Sequence, residues 1–209
     1  TDDDLRGTAS LCERAYDRAV AAVPREQKGA VQISASLALF VPKAQTPFQW
    51  DGQIAPEEAI RRVNLVRSSV KRRSVIVHWH NAATSFIEAI MSRGGRETAA
   101  LVEGAWRRGA RFDAWDEHFD EEAWAAAATD IGIDVAGLAQ TTFPLDYVLP
   151  WEHVSTGVST RFLRHERELA SQGITTPDCS FERCSACGVC PGMKVENELA
   201  APRALGGLR

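Results

Sequence analysis

The sequence lacks the features of a membrane protein or a secreted protein. No apolar run approaches the roughly 18 residues that a membrane-spanning helix needs. The first residues, TDDDLRGTAS, are acidic, whereas a secretory signal begins with basic residues and continues with apolar ones. No internal repeat or low-complexity segment occurs. We therefore expect a cytoplasmic protein that has no membrane partner.

A strong charge of one sign is also lacking. The 209 residues carry a formal net charge of −4, and 44% of them are hydrophobic and 25% charged. A chain of this composition can bury a core and is not intrinsically disordered. It begins with Thr1 instead of Met. We expect it to be a fragment, with the missing N-terminal region of the same chain as its partner.

Cysteine is scarce outside the segment DCSFERCSACGVC, which holds four of the five cysteines. In a reducing compartment such a cluster indicates metal or redox chemistry more often than disulfides. The spacing is Cys-x4-Cys-x2-Cys-x2-Cys, and four soft thiolates suit zinc or an iron–sulfur cluster. The run Cys-x2-Cys-x2-Cys followed by Pro191 is similar to the ferredoxin pattern and slightly favours an iron–sulfur cluster, whereas a fourth Cys on the amino side would also complete a zinc tetrahedron. The predicted metal ligands are Cys179, Cys184, Cys187 and Cys190.

The hydrophobic pattern predicts an α/β arrangement in the first half of the chain. One helix follows the N-terminal aspartates, and a second begins at Pro56 and runs to the basic residues 71–73. The segments AVQISASLALFVP and SVIVHWH are typical of strands. A capping box of Ser85 and Glu88 predicts a third helix. This alternation indicates parallel strands.

After Glu97 the pattern predicts successive helices and no further strand. The run RFDAWDEHFDEEAW in this part offers carboxylates and a histidine for metal binding or acid–base chemistry. We interpret it instead as the solvated face of a helix, with Trp115, Phe119 and Trp124 pointing inward.

Candidate site residues follow the ends of both predicted strands, where parallel α/β proteins place reactive groups. Lys43 and Gln45 follow the first strand, in a segment whose Thr46, Gln49 and Trp50 can face a ligand. The alternative, which the pattern alone favours, is a packed loop shaped by two prolines.

The second strand ends in a His-x-His pair, and its period of two places His78 and His80 on one face. Two imidazoles can bind a metal or move protons, although a structural role is commoner for such a pair. Downstream, Arg93 and Arg96 flank two glycines at a helix end. They either hold an anion such as phosphate or carboxylate, or cap the helix.

Several ordered motifs carry a family resemblance over residues 1–190. They are FVPKAQTPFQW, HNAATSFIEAIMSRGGR, FDAWDEHF, LPW, GVSTRFLRHE and DCSFERCSACGVC. In this order they resemble the C-terminal half of the fused cobalamin-binding-type radical SAM proteins, a large and mostly uncharacterised bacterial family.

The resemblance implies a fold and a division of the chain. In that family a cobalamin-binding-like domain precedes a partial TIM barrel, whose 4Fe-4S cluster reductively cleaves S-adenosylmethionine. Residues 1–96 would then form the C-terminal strands and helices of the barrel, and 97–172 a mostly helical extension. Residues 173–192 would form a Cys-rich metal-binding tail, and 193–209 a linker.

The resemblance also implies roles for particular residues. Lys43 and Gln45 would lie at the barrel mouth near S-adenosylmethionine or the substrate. The implied catalytic residues are His80 and Lys43, and the implied cofactor-binding residues are Gln45, Thr46, Glu88, Arg93 and Arg96. Asp113 and Trp115 also match family positions, and we interpret them as structural.

The chain departs from the family pattern in its functional loops. Ala44 and Gln45 stand where relatives show Pro-His, and Gly95 and Glu97 stand where an Asp and an Arg are usual. The radical-generating motif Cys-x3-Cys-x2-Cys is absent. We therefore expect a fragment of a radical SAM enzyme of unknown substrate, with an auxiliary metal site formed by the four clustered cysteines. S-adenosylmethionine and its 4Fe-4S cluster would belong to the intact parent, in which cobalamin is a further candidate cofactor.

A second hypothesis is a metal-stabilised module without catalysis that binds RNA or a protein. It would use the basic segments 71–73 and 107–111 together with the cysteine cluster. The net acidic charge and the scatter of the basic residues argue against nucleic-acid binding.

Overall fold

Segments far apart in the chain pack together in the computed structural model, which describes residues 1–196. The contacts define two units. Unit 1 comprises residues 1–41 and 52–141, and unit 2 comprises residues 42–51 and the described residues from 142 onward. These units differ from the segments predicted from the sequence, which end at residues 96, 172 and 192, because the predicted boundaries follow changes in local composition. The part of the predicted linker from residue 197 onward lies outside the described residues.

Unit 1 begins with the predicted alternation of helices and strands. Its first elements are α1 (Asp2–Ala22), a 3₁₀ turn (Arg25–Ala30), β1 (Ile33–Leu37), α2 (Pro56–Ser69), β2 (Val75–Trp79) and α3 (Ala82–Arg93). The two strands form a parallel sheet in which Ile33 lies opposite Val75 and Leu37 opposite Trp79. The expected α/β class with parallel strands is therefore confirmed. The described residues contain no other strand.

The two faces of this sheet differ in burial. α1 packs against both strands and against α2. On one face, Ile33, Ala35 and Val77 are partly buried and Val75 is buried. The opposite face is exposed, and its residues are Ser34, Ser36, Ile76 and His78. The described part of the chain thus shields one side of the sheet from water and leaves the other side exposed.

The rest of unit 1 is helical, as the pattern predicts. Its helices are α4 (Thr98–Arg107), α5 (Glu121–Ile131) and α6 (Val135–Gln140). They form a core with α3 that contains Ile90, Leu101 and Trp124. Small residues let α4 and α5 approach closely, because a Cβ on Gly104 would lie 3.0 Å from the Cβ of Ala127.

Unit 2 is built around an aromatic side chain from the short loop 42–51. Trp50 has no exposed surface and packs with Leu149 and with Leu163 of α7 (Thr160–Ser171). Asp51 accepts two hydrogen bonds from Arg167 of the same helix, at 2.6 and 3.0 Å. A short helix, α8 (Val189–Met193), follows in the cysteine-rich segment.

Two local predictions are wrong. α3 begins at Ala82, because the Asn81 side chain accepts hydrogen bonds from the amides of Ala83 and Thr84 and caps the helix. Ser85, the predicted cap, is instead buried inside that helix. The run around Trp115 forms a turn before α5, and this side chain is 55% exposed, whereas Phe119 and Trp124 pack into the core as predicted.

None of the described helices is both long enough and apolar enough to cross a membrane.

Candidate functional site

A groove in unit 1 lies at the carboxyl ends of the two parallel strands. It has a volume of about 660 Å³, and its lining includes Leu39 after β1 and Trp79, His80 and Asn81 at the end of β2. The His80 amide donates a hydrogen bond of 3.2 Å to the Leu37 carbonyl, which extends the strand pairing by one residue. His80 is thereby fixed at the strand end, with an exposed side chain.

Carboxylates surround the groove. Glu57 comes from the first turn of α2, Asp116 from the turn before α5, and Glu121 from the first turn of α5. The groove therefore combines an imidazole, which can donate or accept a proton, with carboxylates that attract a cation. Sequence reasoning missed Glu57, because it read the acidic start of α2 only as a dipole effect.

Arg93 is buried and donates hydrogen bonds to backbone carbonyls, whereas the sequence predicted that it binds an anion. It is 1% exposed, and its Nε donates a hydrogen bond of 2.9 Å to the Leu138 carbonyl. Its guanidinium also donates to the Thr141 carbonyl. These contacts tie the end of α3 to the end of α6 and favour a structural role. Arg96 and Glu88 are both exposed in the same unit.

The loop 42–51 in unit 2 is braced by its own polar side chains. Gln45 adopts a positive φ of 59°, and its Nε2 donates a hydrogen bond of 2.7 Å to the Val154 carbonyl. The Thr46 hydroxyl donates to the Lys43 carbonyl at 2.7 Å. Lys43 itself has an exposed side chain. The hydrogen bonds of Gln45 and Thr46 support the packed-loop interpretation of these two residues.

A small cavity of about 90 Å³ lies behind this loop, within unit 2. The buried Gln49 accepts hydrogen bonds at its Oε1 from the Gln45 amide, at 3.0 Å, and from the Trp151 Nε1, at 2.7 Å. Trp50 and Arg164 also line the cavity. Sequence reasoning had singled out Gln49 and Trp50 but not Arg164, which lies more than a hundred positions away in α7.

The cysteine-rich segment forms turns that expose or half-expose its four thiols. The Ala186 amide donates a hydrogen bond of 3.3 Å to the Cys184 Sγ, and Ala186 and Gly188 have positive φ values of 58° and 103°. The Cys187 carbonyl accepts a hydrogen bond of 2.8 Å from the Ser159 amide. Within the described residues, no three His, Cys, Asp or Glu side chains converge closely enough to hold a metal.

The predicted site residues are divided between the two units. Unit 1 holds His80, Glu88, Arg93 and Arg96, and unit 2 holds Lys43, Gln45, Thr46 and the four clustered cysteines. No family model, curated protein or solved structure matches the chain. The resemblance to radical SAM proteins therefore stays a prediction.

Proposed function

We propose that the chain is the C-terminal part of a cytoplasmic radical SAM enzyme of unknown substrate. In this proposal β1 and β2 are closing strands of a partial TIM barrel. The remaining strands, the radical-generating 4Fe-4S cluster and S-adenosylmethionine belong to the preceding region of the same polypeptide. The observation that carries the proposal is the parallel sheet with one exposed face.

The exposed face is unusual for parallel strands. Parallel sheets are normally covered on both faces, and an isolated two-stranded sheet is at best marginally stable. Here α1 covers one side, while Ser34, Ser36 and His78 lie exposed on the other. In the proposal, Ser34, Ser36 and His78, together with Ile76, would line the inner wall of the barrel near its ligands. Further strands of the same barrel would pair with the free edges and enclose this face.

The acidic groove at the strand ends supports an active-site role. Barrel enzymes bind their substrates at the carboxyl ends of the strands. His80 is the candidate general acid or base in the groove. Glu57, Asp116 and Glu121 suit a substrate or cofactor that carries a positive charge. Lys43, at the start of the loop in unit 2, is a second candidate catalytic residue.

The chain's own residues do not suit the radical-generating cluster, because the Cys-x3-Cys-x2-Cys motif is absent. The four clustered cysteines have the donor chemistry of an auxiliary site, either iron–sulfur or zinc. The hydrogen bond from the Ala186 amide to the Cys184 sulfur supports this assignment, since an amide donor stabilises a thiolate. A bound cluster would supply electron transfer, whereas zinc would supply only structural stability.

The enzyme proposal is tested with the polypeptide that includes the preceding region. Under anaerobic reducing conditions with S-adenosylmethionine, we expect it to release 5′-deoxyadenosine. A matched variant with Cys184 and Cys187 changed to Ala should retain this activity if their site is auxiliary. Intact protein that yields no 5′-deoxyadenosine would refute the proposal.

The metal assignment is tested on the chain itself. Anaerobic metal and sulfide analysis, with an absorption spectrum, should give a brown protein with acid-labile sulfide. A colourless protein with one zinc would show that the four cysteines bind zinc instead of an iron–sulfur cluster. A metal-free protein would contradict the proposed metal site. Cys12→Ala is the matched control, because Cys12 lies in α1 and should not change the metal content.

The competing RNA-binding hypothesis is weakened by the contacts of the basic residues. Arg72 pairs with Asp17 at 2.7 Å, and Arg107 pairs with Glu103 at 2.6 Å. Arg108 pairs with Asp130. These carboxylates neutralise much of the charge that would bind phosphates. Salt-sensitive binding of RNA by the chain would restore this alternative.

A further inference from the structure

One of the residues that line the small cavity in unit 2 carries a buried hydrogen-bond donor. Trp50 lines the cavity and has no exposed surface, and its indole Nε1 has no hydrogen-bond partner among residues 1–196. Buried N–H groups are rarely left unpaired in native proteins, because desolvating them without a partner is costly. This N–H group is therefore a candidate donor to a ligand in the cavity, although the side chains that cover it would have to shift slightly, because Trp50 has no exposed surface.

The other polar groups around the cavity are mainly donors. The Oε1 of Gln49 already accepts two hydrogen bonds, so that the amide can offer a ligand only its NH2 group. Thr160 contributes a hydroxyl from the first turn of α7. Arg164 is exposed to solvent, its guanidinium lies 5.9 Å from the centre of the Trp50 ring, and it forms no ion pair in the described part of the chain. One carboxylate, that of Glu152, also lines the cavity, and it is exposed to solvent.

The volume limits the size of the ligand. The cavity measures about 90 Å³. Sites for whole small molecules measure about 300 Å³ or more. The cavity can therefore enclose one small group, such as the end of a larger molecule, but not an entire cofactor.

We infer that this cavity binds a small oxyanion, either a carboxylate or a phosphoryl group. The Trp50 Nε1 and the Gln49 NH2 would donate hydrogen bonds to its oxygens, and Arg164 would supply the positive charge. The inference does not depend on the proposed radical chemistry, because every residue that it uses belongs to unit 2 and the test requires no S-adenosylmethionine.

The test follows the indole N–H signals of the isotopically labelled chain by two-dimensional NMR. Acetate and inorganic phosphate are titrated separately at constant ionic strength, with sodium chloride as the compensating salt. We expect one of the six tryptophan indole signals to shift saturably with at least one of the two oxyanions. The loss of that signal in Trp50→Phe assigns it to Trp50. If this substitution disrupts the fold, the comparison of Arg164→Gln with Arg161→Gln still tests the inference.

The variants separate a specific site from general charge effects. Arg164→Gln should weaken binding about 10- to 100-fold, because a charge-assisted hydrogen bond is lost. Arg161→Gln removes the same charge from the same helix outside the cavity and should leave the affinity nearly unchanged. Glu152→Gln should tighten binding. The inference is wrong if no indole signal saturates, if chloride alone causes the same shift, or if the two arginine variants behave alike.

Discussion

Arg93 shows how a charged residue that the sequence offers as a candidate anion ligand can instead serve packing. Its long side chain is fully buried, and its charged group donates to backbone carbonyls at the end of α6. A sequence pattern that places two arginines beside two glycines cannot distinguish this arrangement from an anion site. The distinction depends on the position of residues about 45 places further along the chain.

Replacing Arg93 should therefore destabilise the protein. Arg93→Met keeps most of the side-chain volume but removes the donors to the Leu138 and Thr141 carbonyls. We expect the free energy of unfolding, measured in urea, to fall by about 1–3 kcal/mol, the cost of unpaired buried polar groups. Arg96→Met, at an exposed position, should change it by less than about 0.5 kcal/mol. Equal effects of the two substitutions would contradict the structural role.

Gly52 allows close contact between the chain segment before α2 and the end of α6. A Cβ at this position would lie 1.9 Å from the Gln140 carbonyl oxygen. The neighbouring Gln53 amide fixes the approach by donating a hydrogen bond of 2.8 Å to the Ala139 carbonyl.

Gly52→Ala should lower the thermal unfolding midpoint, because the backbone must shift to admit a methyl group, at a cost of about 1–3 kcal/mol. Gly7→Ala is the matched control: it lies inside α1, where a Cβ would meet no described residue outside its own helical turns within 4 Å. There alanine should raise the midpoint, since it favours the helix by up to about 1 kcal/mol. The same sign for both substitutions would argue against the close contact at Gly52.

At the scale of elements, local sequence patterns predicted most helices and strands, whereas details that depend on particular contacts were missed. The apolar periodicity and the acidic starts located α1 and α2, and the strand patterns located β1 and β2. The start of α3 was missed because both Asn81 and Ser85 can cap a helix, and only the hydrogen bonds to Asn81 decide between them. The six-residue α6 was missed because it is too short for a periodic signal.

The ion pairs of α2 should contribute a pH-dependent part of the stability. Glu58 accepts hydrogen bonds from Arg61 and Arg62, which lower its pKa from 4.5 to about 2. A lowered pKa in the folded state stabilises that state above pH 4.5, and the stabilisation is lost as the pH falls toward 2. Glu58→Gln should therefore lower the urea midpoint at pH 7, and the difference from wild type should vanish near pH 2.

Glu57→Gln provides the control for this pH series. Glu57 lies in the same first turn of α2, so its replacement removes the same interaction with the helix dipole. It forms no ion pair within the described chain. A pH-dependent loss of the same size in both variants would assign the effect to the helix terminus and not to the arginine contacts.

At the scale of the whole molecule, the division into units could not be predicted from the sequence. Composition placed boundaries where the character of the chain changes. The core of unit 2 instead joins Trp50 to Leu149 and Leu163, about a hundred positions away. No periodic pattern in the sequence predicts a contact between residues this far apart. The cavity beside Trp50 was missed for the same reason, because Arg164 belongs to a helix that was interpreted separately.

Unit 2 should consequently fail to fold from its C-terminal part alone. Residues 142–209 lack Trp50, which fills the centre of the core, and Asp51, which pairs with Arg167. We expect this fragment to show no cooperative thermal transition by circular dichroism. Adding a peptide of residues 42–51 should restore one, whereas the same peptide with Trp50→Ala should not. A cooperative transition of the fragment without the peptide would contradict the role of Trp50.

The discontinuity of unit 2 also constrains how a cell makes the protein. Loop 42–51 leaves the ribosome before unit 1 is complete, yet its partners in α7 are synthesised more than a hundred residues later. At about 5–20 residues per second, that delay lasts roughly 5–20 s. During this interval the indole of Trp50 has no core to enter. It forms an apolar site for chaperones, and a ribosome stalled between residues 51 and 149 would leave this surface uncovered.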